Sequence, residues 1–329
     1  MAETFIKSSF CKEDEKFEVP LRPRTMNEFQ GQDAIRERLM VTIEAAKQRN
    51  EPLGHCLFSG PPGLGKTTLA NILATEMGTN VVVTSGPVIE KAGDLAGILT
   101  NLQDGDILFI DEIHQLNRVV EEYLYPAMEN YTLDLLIDSG PNARSVRVDL
   151  NKFTLAGATT RVGQLTGPLR SRFAFSCRLE YYTALVLADI INRTAKILGI
   201  NIDHEGAREI SQRARGTPRI ANNLLRWVRD FAQIKADNRI TQEVACQALE
   251  MLSIDELGLD DLDKKLLEVI IDHYQGGPVG INTLSVAVGE EALTLEDVVE
   301  PFLIGIGFLK RTPRGRVATH HAYKHLGKF

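Results

Sequence analysis

The sequence predicts an α/β protein in which a parallel sheet with helices on both faces is followed by a helical bundle and a small basic domain. Three observations lead to this prediction. Short apolar strands alternate with helix-forming segments over residues 55–179, strand signals stop after Tyr182, and a basic stretch closes the chain. Such alternation favours parallel strands, with ligands bound at their carboxyl ends.

The first half of the chain contains five segments with the length and apolar content of buried strands. These are His55–Ser59, Asn80–Thr84, Asp106–Asp111, Phe153–Thr159 and Ser176–Leu179. Helices are predicted between them over Lys66–Met77, Asp94–Leu102 and Val119–Asn130. Before the fourth strand, Leu133–Ile137 and Ser145–Asp149 alternate apolar and polar residues around a turn, which predicts an inserted β-hairpin. A surface hairpin of no special role is the plainer interpretation.

Beyond Tyr182, apolar residues recur at helical spacing. Four helices are predicted, over Leu185–Leu198, Glu205–Ala214, Pro218–Ile234 and Gln242–Leu252. Pro218 suits the first turn of a helix and Thr241 suits an N-cap. The acidic segment Ser253–Asp263 is interpreted as a linker into a third unit.

Three short helices and a two-stranded wing are predicted for this third unit. The helices are Leu262–Asp272, Ile281–Val288 and Leu295–Leu303, and the wing lies in Gly307–Thr319. Three helices followed by a basic wing resemble a winged-helix DNA-binding domain. A solvated basic tail is the alternative, but the apolar residues Phe308, Leu309 and Val317 on either side of the turn favour the wing.

Composition excludes several classes of protein. A chain of 329 residues with 43% hydrophobic and 25% charged residues is typical of an ordinary globular protein with two or three domains. The cysteines at 11, 56, 177 and 246 form no C-x-x-C pair, which argues against a zinc site and a disulfide framework. No apolar run approaches membrane-spanning length, and acidic residues occupy the place of a signal-peptide core. We therefore expect a cytoplasmic protein without membrane contact.

The net charge is divided unevenly along the chain. Residues 1–305 carry 31 Lys and Arg against 44 Asp and Glu, a net charge of −13, whereas residues 306–329 carry six basic residues and no acidic one. An acidic body with a basic end predicts a contact with a polyanion that is confined to that end.

Residues 60–68 read GPPGLGKTT and fit the phosphate-loop pattern G-x-x-x-x-G-K-[ST]. Glycines let the backbone aim its N–H groups at phosphate oxygens, and the following helix presents its positive end. Lys66 is expected to reach the β and γ phosphates and Thr67 to hold Mg²⁺. The loop residues assigned to ATP or ADP are Gly63, Gly65, Lys66, Thr67 and Thr68. A turn without a ligand is disfavoured because an apolar strand precedes the loop and a helix follows it.

A second motif places two carboxylates, Asp111 and Glu112, at the end of an apolar strand. Carboxylates at the mouth of a buried strand are costly unless a positive group meets them. Asp111 is the expected magnesium partner, and Glu112 is the expected base or orienter of the attacking water. An Asp-Glu pair after a strand is weak by itself, but beside a phosphate loop it predicts hydrolysis of the nucleotide.

Taken together, the motifs resemble those of the RuvB family, bacterial AAA+ ATPases that drive branch migration of Holliday junctions. They are the phosphate loop, DEIH at 111–114, GATTR at 157–161, PLRSRF at 168–173, RGTPRIANNLLRWVRDFA from 215 and RTPRGR at 311–316. The resemblance runs in order from Leu21 to Leu326. It implies an N-terminal arm (1–20), a P-loop AAA+ domain (21–182), a helical lid (183–254) and a C-terminal winged-helix domain (255–329).

This resemblance also implies roles for individual residues. Thr160 resembles sensor 1, which detects the γ-phosphate, and Arg219 resembles sensor 2, which couples the helical bundle to the nucleotide. Arg172 resembles the arginine finger that reaches a neighbouring subunit's ATP, with Arg170 as the second candidate. A cation is needed there because charge spreads over the γ-phosphoryl group during transfer. The other residues placed around the nucleotide are Leu21, Arg22 and Tyr182 on the adenine side and Glu129, Asn130 and Tyr131 at the border.

The implied partners are double-stranded DNA, a ring of six copies, the junction-binding protein RuvA at the hairpin near Ser139–Arg144, and the RuvC resolvase. Arg311, Arg314 and Arg316 are the expected contacts with DNA phosphate, which hold a protein without reading sequence. The expected function is that of a DNA motor in recombination, repair and the SOS response. Two alternatives are a clamp-loader-like ATPase, which would end in a helical collar, and a nucleotide-regulated DNA-binding switch, which needs no complete catalytic set.

Overall fold

The computed structural model describes residues 19–136 and 145–328, and it divides the chain into two compact units. The first unit extends to Tyr182 and the second begins at Thr183. Within the described ranges, every helix is too short or too polar to cross a lipid bilayer.

The predicted parallel sheet forms the centre of the first unit. The strands of this unit are β1 Cys56–Ser59, β2 Val81–Ser85, β3 Ile107–Asp111, β4 Thr132–Leu136, β5 Ser145–Asp149, β6 Thr154–Thr159 and β7 Phe175–Arg178. Five of them form the sheet in the order β2-β3-β6-β1-β7, with every pair parallel. Ser59 pairs with Thr159 in register, so the carboxyl ends of the central strands lie side by side.

The helices of the first unit are α1 Asp33–Arg49, α2 Lys66–Met77, α3 Ala92–Thr100, α4 Arg118–Asn130 and α5 Gly167–Ser171. The sequence prediction omitted α1 and α5. The helix α1 buries Ile35, Leu39 and Ile43 at a spacing of four, a signal that the sequence carries. Its start was obscured because Gln32 precedes it in a left-handed conformation and makes no side-chain cap.

The predicted hairpin is formed by β4 and β5, which pair antiparallel from Thr132 opposite Asp149. Leu133 is fully buried in the core, and Arg147 donates from Nε to Asp134 Oδ1 at 2.9 Å across the strands. The hairpin is thus anchored at its base by apolar burial. The expected docking residues Ser139–Arg144 lie outside the described residues.

The second unit begins with the predicted helices α6 Ala184–Leu198, α7 His204–Arg213, α8 Pro218–Lys235 and α9 Gln242–Met251. We call residues 184–251 the helical bundle. Thr241 caps α9 by accepting from the backbone N–H of Val244 at 3.4 Å, and Pro218 occupies the first turn of α8, both as predicted. Two short segments that the sequence did not predict, β8 Asn201–Ile202 and β9 Arg239–Ile240, pair in parallel.

The remainder of the second unit, residues 261–325, is called the wing domain. Its elements are α10 Asp261–Glu268, α11 Ile281–Val288, α12 Ala292–Thr294, α13 Glu300–Gly305, β10 Leu309–Thr312, β11 Gly315–Ala318 and α14 His320–His325. A π-helical segment, Leu295–Val299, joins α12 to α13, and we call residues 292–305 the third helix. The strands β10 and β11 pair antiparallel and Phe308 and Leu309 are buried, so the two-stranded wing is confirmed.

The acidic segment between the bundle and the wing domain, which was interpreted as a linker, contains buried residues. Ile254 and Leu259 are buried, at 1% and 0% exposure. The carboxylates also have partners, since Asp255 Oδ2 lies 2.8 Å from His325 Nε2 and Asp260 Oδ2 lies 3.3 Å from Arg215 Nη2. Asp255 and Asp260 are therefore ion-paired, whereas Glu256 and Asp261 are exposed.

His55 joins three elements of the first unit. Its Nδ1 accepts from the backbone N–H of Leu155 in β6 at 2.8 Å, so that nitrogen carries no proton. Its Nε2 therefore donates to the carbonyl of Met128 in α4, at 2.9 Å. His55 directly precedes β1, and its ring is neutral there. Burial lowers the pKa of His55, although the hydrogen bond to the Met128 carbonyl acts in the opposite direction.

Because the folded state disfavours the charged ring, we expect acid to weaken the first unit through His55. In the unfolded chain, His55 takes up a proton below its ordinary pKa of about 6.5, whereas in the folded chain it does so only at a lower pH. The stability that is present above about pH 6.5 is therefore lost as the pH falls towards the pKa of His55 in the folded chain. Urea unfolding followed between about pH 7.5 and about pH 5.5 measures this dependence. The variant His55→Asn should be less stable at the higher pH and less pH-sensitive. Equal pH dependence in both proteins would contradict the assignment.

Candidate active site and nucleic-acid interface

The phosphate loop connects β1 to α2 and depends on glycine at particular positions. Gly60 has a φ of 135°, and a Cβ there would lie 2.5 Å from the carbonyl oxygen of Leu179. Gly65 has a φ of 101° and directly precedes α2, where the ring of Phe29 would lie 3.1 Å from an added Cβ. A side chain at either position would require the loop to open, because L residues rarely adopt these angles.

Lys66 lies within this loop rather than at the surface. Its residue is 7% exposed, and its Nζ donates to the carbonyls of Gly60 and Pro61 at 2.8 and 2.9 Å. Those contacts hold the ammonium beside the backbone that begins α2. A buried cation together with the N–H groups at a helix start is a chemical arrangement suited to phosphate. The residues present therefore fit the nucleotide that the motif predicts.

Asp111 and Glu112 follow β3, next to the end of β2. Asp111 pairs in register with Ser85, and its Oδ1 accepts from the backbone N–H of Glu112 at 3.0 Å. Glu112 has a left-handed φ of 46°, an unfavourable conformation for a residue with a side chain. This turn redirects the chain directly after the strand.

The carboxylate of Glu112 is held by Thr160, which directly follows β6, and by a residue of its own loop. Oε2 accepts from the hydroxyl and the backbone N–H of Thr160, at 3.1 and 3.3 Å. The same oxygen lies 3.2 Å from His114 Nδ1, which is also 2.9 Å from the hydroxyl of Thr159. The sheet thus brings together Glu112 and Thr160, two predicted site residues that are 48 positions apart.

His114 and Thr159 were not predicted as site residues. The His114 side chain is only 5% exposed, and Thr159 is fully buried. A signal was available for His114, since it stands two positions after Glu112 in the DEIH motif. Thr159 gave none, because a threonine within an apolar strand is usually a core residue.

Thr67 and Asp111 offer a hydroxyl and a carboxylate, the hard oxygen ligands that Mg²⁺ prefers. Over residues 19–136 and 145–328 there is no cluster of three or more His, Cys, Asp or Glu side chains that would hold a metal by itself. Such a donor set fits a magnesium ion that takes its other ligands from phosphate and water.

On the expected adenine side, Tyr182 is hydrogen-bonded to the backbone of the phosphate loop. Tyr182 donates from its hydroxyl to the carbonyl of Leu64 at 3.0 Å, and burial raises its pKa. Leu21 is 2% exposed and Arg22 is half-buried. Tyr182 therefore supports the phosphate loop from the side. Phe29, which packs against Gly65, was missed by the sequence prediction because nothing distinguishes it from a core residue.

Arg172 directly follows α5 and lies against α4. Its Nη2 is 3.0 Å from Glu129 Oε1, and its guanidinium carbon lies 4.2 Å from the centre of the Tyr125 ring. Nη1 also donates to the carbonyl of Pro168 at 2.7 Å. The side chain remains 21% exposed and that of Glu129 is 52% exposed. The guanidinium is thus held in a defined position at the surface of α4.

The helix that carries Arg172 is itself docked on α4. Thr166 caps α5 by accepting from the N–H of Leu169 at 3.3 Å, and its hydroxyl also donates to Glu121. Tyr125 donates to Glu121 Oε1 at 2.7 Å. Tyr125 was not predicted, although Glu121, Tyr125 and Glu129 follow at intervals of four and share one face of a helix.

The other predicted nucleotide residues differ in their exposure and in their contacts. Asn130 is exposed, and Tyr131 packs edge-on against the Phe153 ring with 5.9 Å between centres, which indicates a structural role. Arg170 is exposed on α5. Arg219 is the second residue of α8, in the second unit, and is half-buried.

The three predicted DNA contacts occupy different environments in the wing. Arg314 is exposed in the turn between β10 and β11, and the side chain of Arg311 is 60% exposed although it lies 3.3 Å from Glu296. Arg316 is 7% exposed, and its guanidinium contacts Glu300 at 2.6 Å and Glu296 at 2.7 Å. Burial opposes its charge, but the two carboxylates outweigh this effect and raise the pKa of Arg316.

The position of Arg316 does not fit the expected contact with DNA phosphate. Its charge is already compensated by Glu300, which is itself 2% exposed. The side chain instead joins β11 to the third helix. Sequence could not separate it from Arg314, because both belong to the same basic stretch and the carboxylates that pair with Arg316 come from another element.

Comparison with known proteins gives consistent matches along the chain. Residues 21–179 match the model of the Holliday junction DNA helicase RuvB P-loop domain, residues 182–255 that of the RuvB AAA lid domain, and residues 256–327 that of the RuvB C-terminal winged helix domain. The predicted fold class, an AAA+ domain with a lid and a winged-helix domain, is thereby confirmed.

Individual relatives match over nearly their whole length. The Holliday junction branch migration complex subunit RuvB of Protochlamydia amoebophila is 66% identical over 326 residues, which cover 99% of this chain and 98% of the relative. The subunit of the same name from Chloroflexus aggregans is 58% identical and covers 99% and 93%. Among solved structures, the Thermotoga maritima RuvB Holliday junction branch migration motor superposes with a TM-score of 0.85 at 50% identity, covering 94% of this chain and 99% of that one.

The contrast between Arg316 and Arg314 can be measured as stability. Arg316→Met leaves Glu300 buried without its closest cation, so we expect the wing domain to lose about 3 kcal/mol of unfolding free energy. Arg314→Met changes an exposed side chain and should shift stability by less than about 0.5 kcal/mol. Urea unfolding of both full-length variants compares them. Equal stability of the two variants would contradict the assigned role of Arg316.

Proposed function

This chain belongs to the RuvB family, and from that premise we propose that it is an ATP-driven motor that moves the branch point of Holliday junctions along duplex DNA. Its P-loop AAA+ domain makes it an ATPase. The observation that carries the motor proposal is the guanidinium of Arg172, held by Tyr125 and Glu129 yet still partly exposed. A cation fixed at the surface in this way is suited to complete the active site of a neighbouring copy.

In the proposed reaction a water oxygen attacks the γ-phosphorus of ATP, and the bond from that phosphorus to the β–γ bridging oxygen breaks. Glu112 accepts the proton of the attacking water, while Thr160 and His114 hold its carboxylate at β6. Lys66 and the loop N–H groups bind the β and γ phosphates. Fixing these groups before the reaction lowers the cost of reorganisation at the moment of transfer.

A magnesium ion bound by Thr67 and Asp111 would neutralise charge on the β and γ phosphates. The adenine side of the nucleotide would be bordered by Leu21, Arg22 and Tyr182. Because Tyr182 is hydrogen-bonded to the loop itself, contact with the base would also support the phosphate-binding backbone.

Arg172 acts in this proposal on the ATP of an adjoining subunit, in a homo-hexameric ring. The negative charge that spreads over the γ-phosphoryl group during transfer needs cations on more than one side. Arg172 would exchange its contact with Glu129 for one with phosphate, while stacking on Tyr125 keeps the guanidinium in place. The exposed Arg170 is the second candidate.

We propose that Arg219 responds to the nucleotide as sensor 2, and that the resulting displacement of the helical bundle moves the wing domain along the duplex. DNA contact is assigned to the exposed wing residues Lys310, Arg311 and Arg314. The third helix, which reads DNA in many helix-turn-helix proteins, carries Glu296 and Glu300, which pair with Arg311 and Arg316 of the wing. A wing that binds phosphate without reading bases suits movement along any sequence.

The name of the relatives, a branch migration complex subunit, implies partners in the same complex. We propose that RuvA docks at the tip of the β4–β5 hairpin, near Ser139–Arg144, and that the RuvC resolvase acts on the same junctions. The buried Leu133 would transmit force from that tip into the core of the first unit. This role places the protein in recombination and DNA repair within the cytoplasm.

Neither alternative function fits as well. A clamp-loader-like ATPase would carry a helical collar after its lid, whereas in this chain the helical bundle is followed by a wing domain with an antiparallel β10–β11 pair. A nucleotide-regulated binding switch has no need for a base held as Glu112 is held.

Shared active sites can be tested by mixing two inactive variants. Lys66→Ala removes the phosphate contact and Arg172→Ala removes the donated cation, so each variant alone should lose DNA-stimulated ATP hydrolysis. In an equimolar mixture, about a quarter of the interfaces pair an intact loop with an intact arginine, and activity should reappear in that proportion. The double variant, mixed with either one, is the control and should restore nothing. A mixture no more active than its components would refute donation between subunits.

The wing assignment predicts a change in salt dependence. Replacing Arg314 with Ala removes one phosphate contact, so the slope of log affinity against log salt should fall in magnitude by about one for every duplex sequence. The control Arg239→Ala removes an arginine whose side chain is 61% exposed on the helical bundle and should leave the slope unchanged. Fluorescence anisotropy with two unrelated duplexes measures both. An unchanged slope for Arg314→Ala would exclude this contact.

A further inference from the structure

Arg215 occupies an unusual position between two helices of the bundle. It follows α7 and stands four residues before Arg219, in a turn where Arg215 and Gly216 both have positive φ, of 53° and 69°. A residue with a side chain is unfavourable in this conformation. Strain of this kind persists only where other contacts fix the residue, and such contacts are present here.

The guanidinium of Arg215 contacts three separate segments at or within the wing domain. Its Nε donates to the carbonyl of Gly258 at 2.7 Å, and its Nη2 contacts both Asp263 and Asp260, the latter at 3.3 Å. Its carbon lies 4.4 Å from the centre of the Phe302 ring in the third helix. The side chain of Arg215 is 4% exposed and that of Asp263 is 0% exposed. One side chain of the bundle is therefore buried among the first and third helices of the wing domain.

The two aspartates are also the cap of α10. The backbone N–H of Asp263 donates to Asp260 Oδ1, and the N–H of Asp260 donates to Asp263 Oδ2, each at 3.0 Å. Arg215 thus binds the carboxylates that define where the first helix of the wing domain begins. Displacing Arg215 would disturb the start of that helix as well as the ion pair.

A second arginine secures the same junction from the end of α7. Arg213 donates to the carbonyl of Ile254 at 2.9 Å and to Glu209 at 2.6 and 2.9 Å. The segment lies so close to α7 that a Cβ at Gly258 would be 2.7 Å from the carbonyl of Arg213. The chain between bundle and wing domain is therefore packed against α7.

We propose that Arg215 is a positioning residue that couples α8, the helix carrying Arg219, to the wing domain, so that the two move as one body when the nucleotide changes. The inference rests on the proposed function, because it assumes that Arg219 responds to the nucleotide. It adds the path by which the displacement reaches the DNA. The fork of a guanidinium is needed here, since an ammonium cannot contact two carboxylates, a carbonyl and an aromatic ring together.

Two variants of the full-length chain test the coupling. Asp263→Asn removes one charge of the buried group, and Arg215→Lys removes the fork and the ring contact. Each has a matched control, Asp261→Asn on the exposed face of α10 and Arg208→Lys, whose side chain is 56% exposed on α7. Neither test residue belongs to the proposed catalytic or DNA-binding set.

The main readout is the number of ATP molecules hydrolysed per synthetic four-way junction separated. We expect hydrolysis to stay within about twofold of wild type and the ATP consumed per junction to rise about tenfold in both test variants. The controls should match wild type. Hydrogen exchange over residues 254–263 should become about tenfold faster in the test variants, without a change in α2.

Three results would overturn the proposal. If both test variants consume as much ATP per junction as the wild-type chain, Arg215 has no part in coupling. Parallel loss of hydrolysis and junction separation, with the ratio unchanged, would show a role in stability alone. If the wild-type chain hydrolyses ATP without separating junctions, the proposed function fails, and the inference fails with it. If Arg215→Lys does not fold, Asp263→Asn decides between these results.

Discussion

The order of strands in the parallel sheet is the constraint on which the candidate active site depends. Because β3 and β1 both pair with β6, the loops that follow these three strands emerge at one edge. That edge supplies a phosphate loop, two acidic residues and a threonine hydroxyl from segments far apart in sequence. The contact between Glu112 and Thr160 exists only because the register of β3 and β6 brings their ends together.

Arginine side chains have different roles in the two units. Arg172 stacks on Tyr125 and pairs with an exposed glutamate, so it can release that partner at small cost. Arg316 and Arg215 are paired with buried carboxylates, which hold each guanidinium in place. The same side chain therefore serves as a movable cation in one place and as a fixed joint in another. The exposure of the arginine and of its carboxylate partner distinguishes these uses, since Arg172 and Glu129 are 21% and 52% exposed, whereas Arg215 and Asp263 are 4% and 0% exposed.

Much of this organisation was predictable from sequence, but not all of it. The phosphate loop, the acidic strand end, the hairpin and the wing follow from local patterns whose physical causes act within a few residues. The roles of Tyr125, His114 and Arg215 depend on contacts that the fold makes between distant segments, so the spacing of Tyr125 on its helix and of His114 in the DEIH motif was not enough to assign them. The burial of Arg316 has the same origin, since its partner Glu300 comes from another element.

The central claim is that one copy of this chain donates a cation to the ATP site of the next. The most direct test is an electron cryomicroscopy structure of the protein on duplex DNA with ADP and an aluminium fluoride mimic of the transferring phosphoryl group. The account predicts the guanidinium of Arg172 at hydrogen-bonding distance, about 3 Å, from the fluoride in the adjoining copy. A structure in which Arg172 stays on Glu129 of its own chain at every occupied site, with no neighbouring cation near the fluoride, would contradict it.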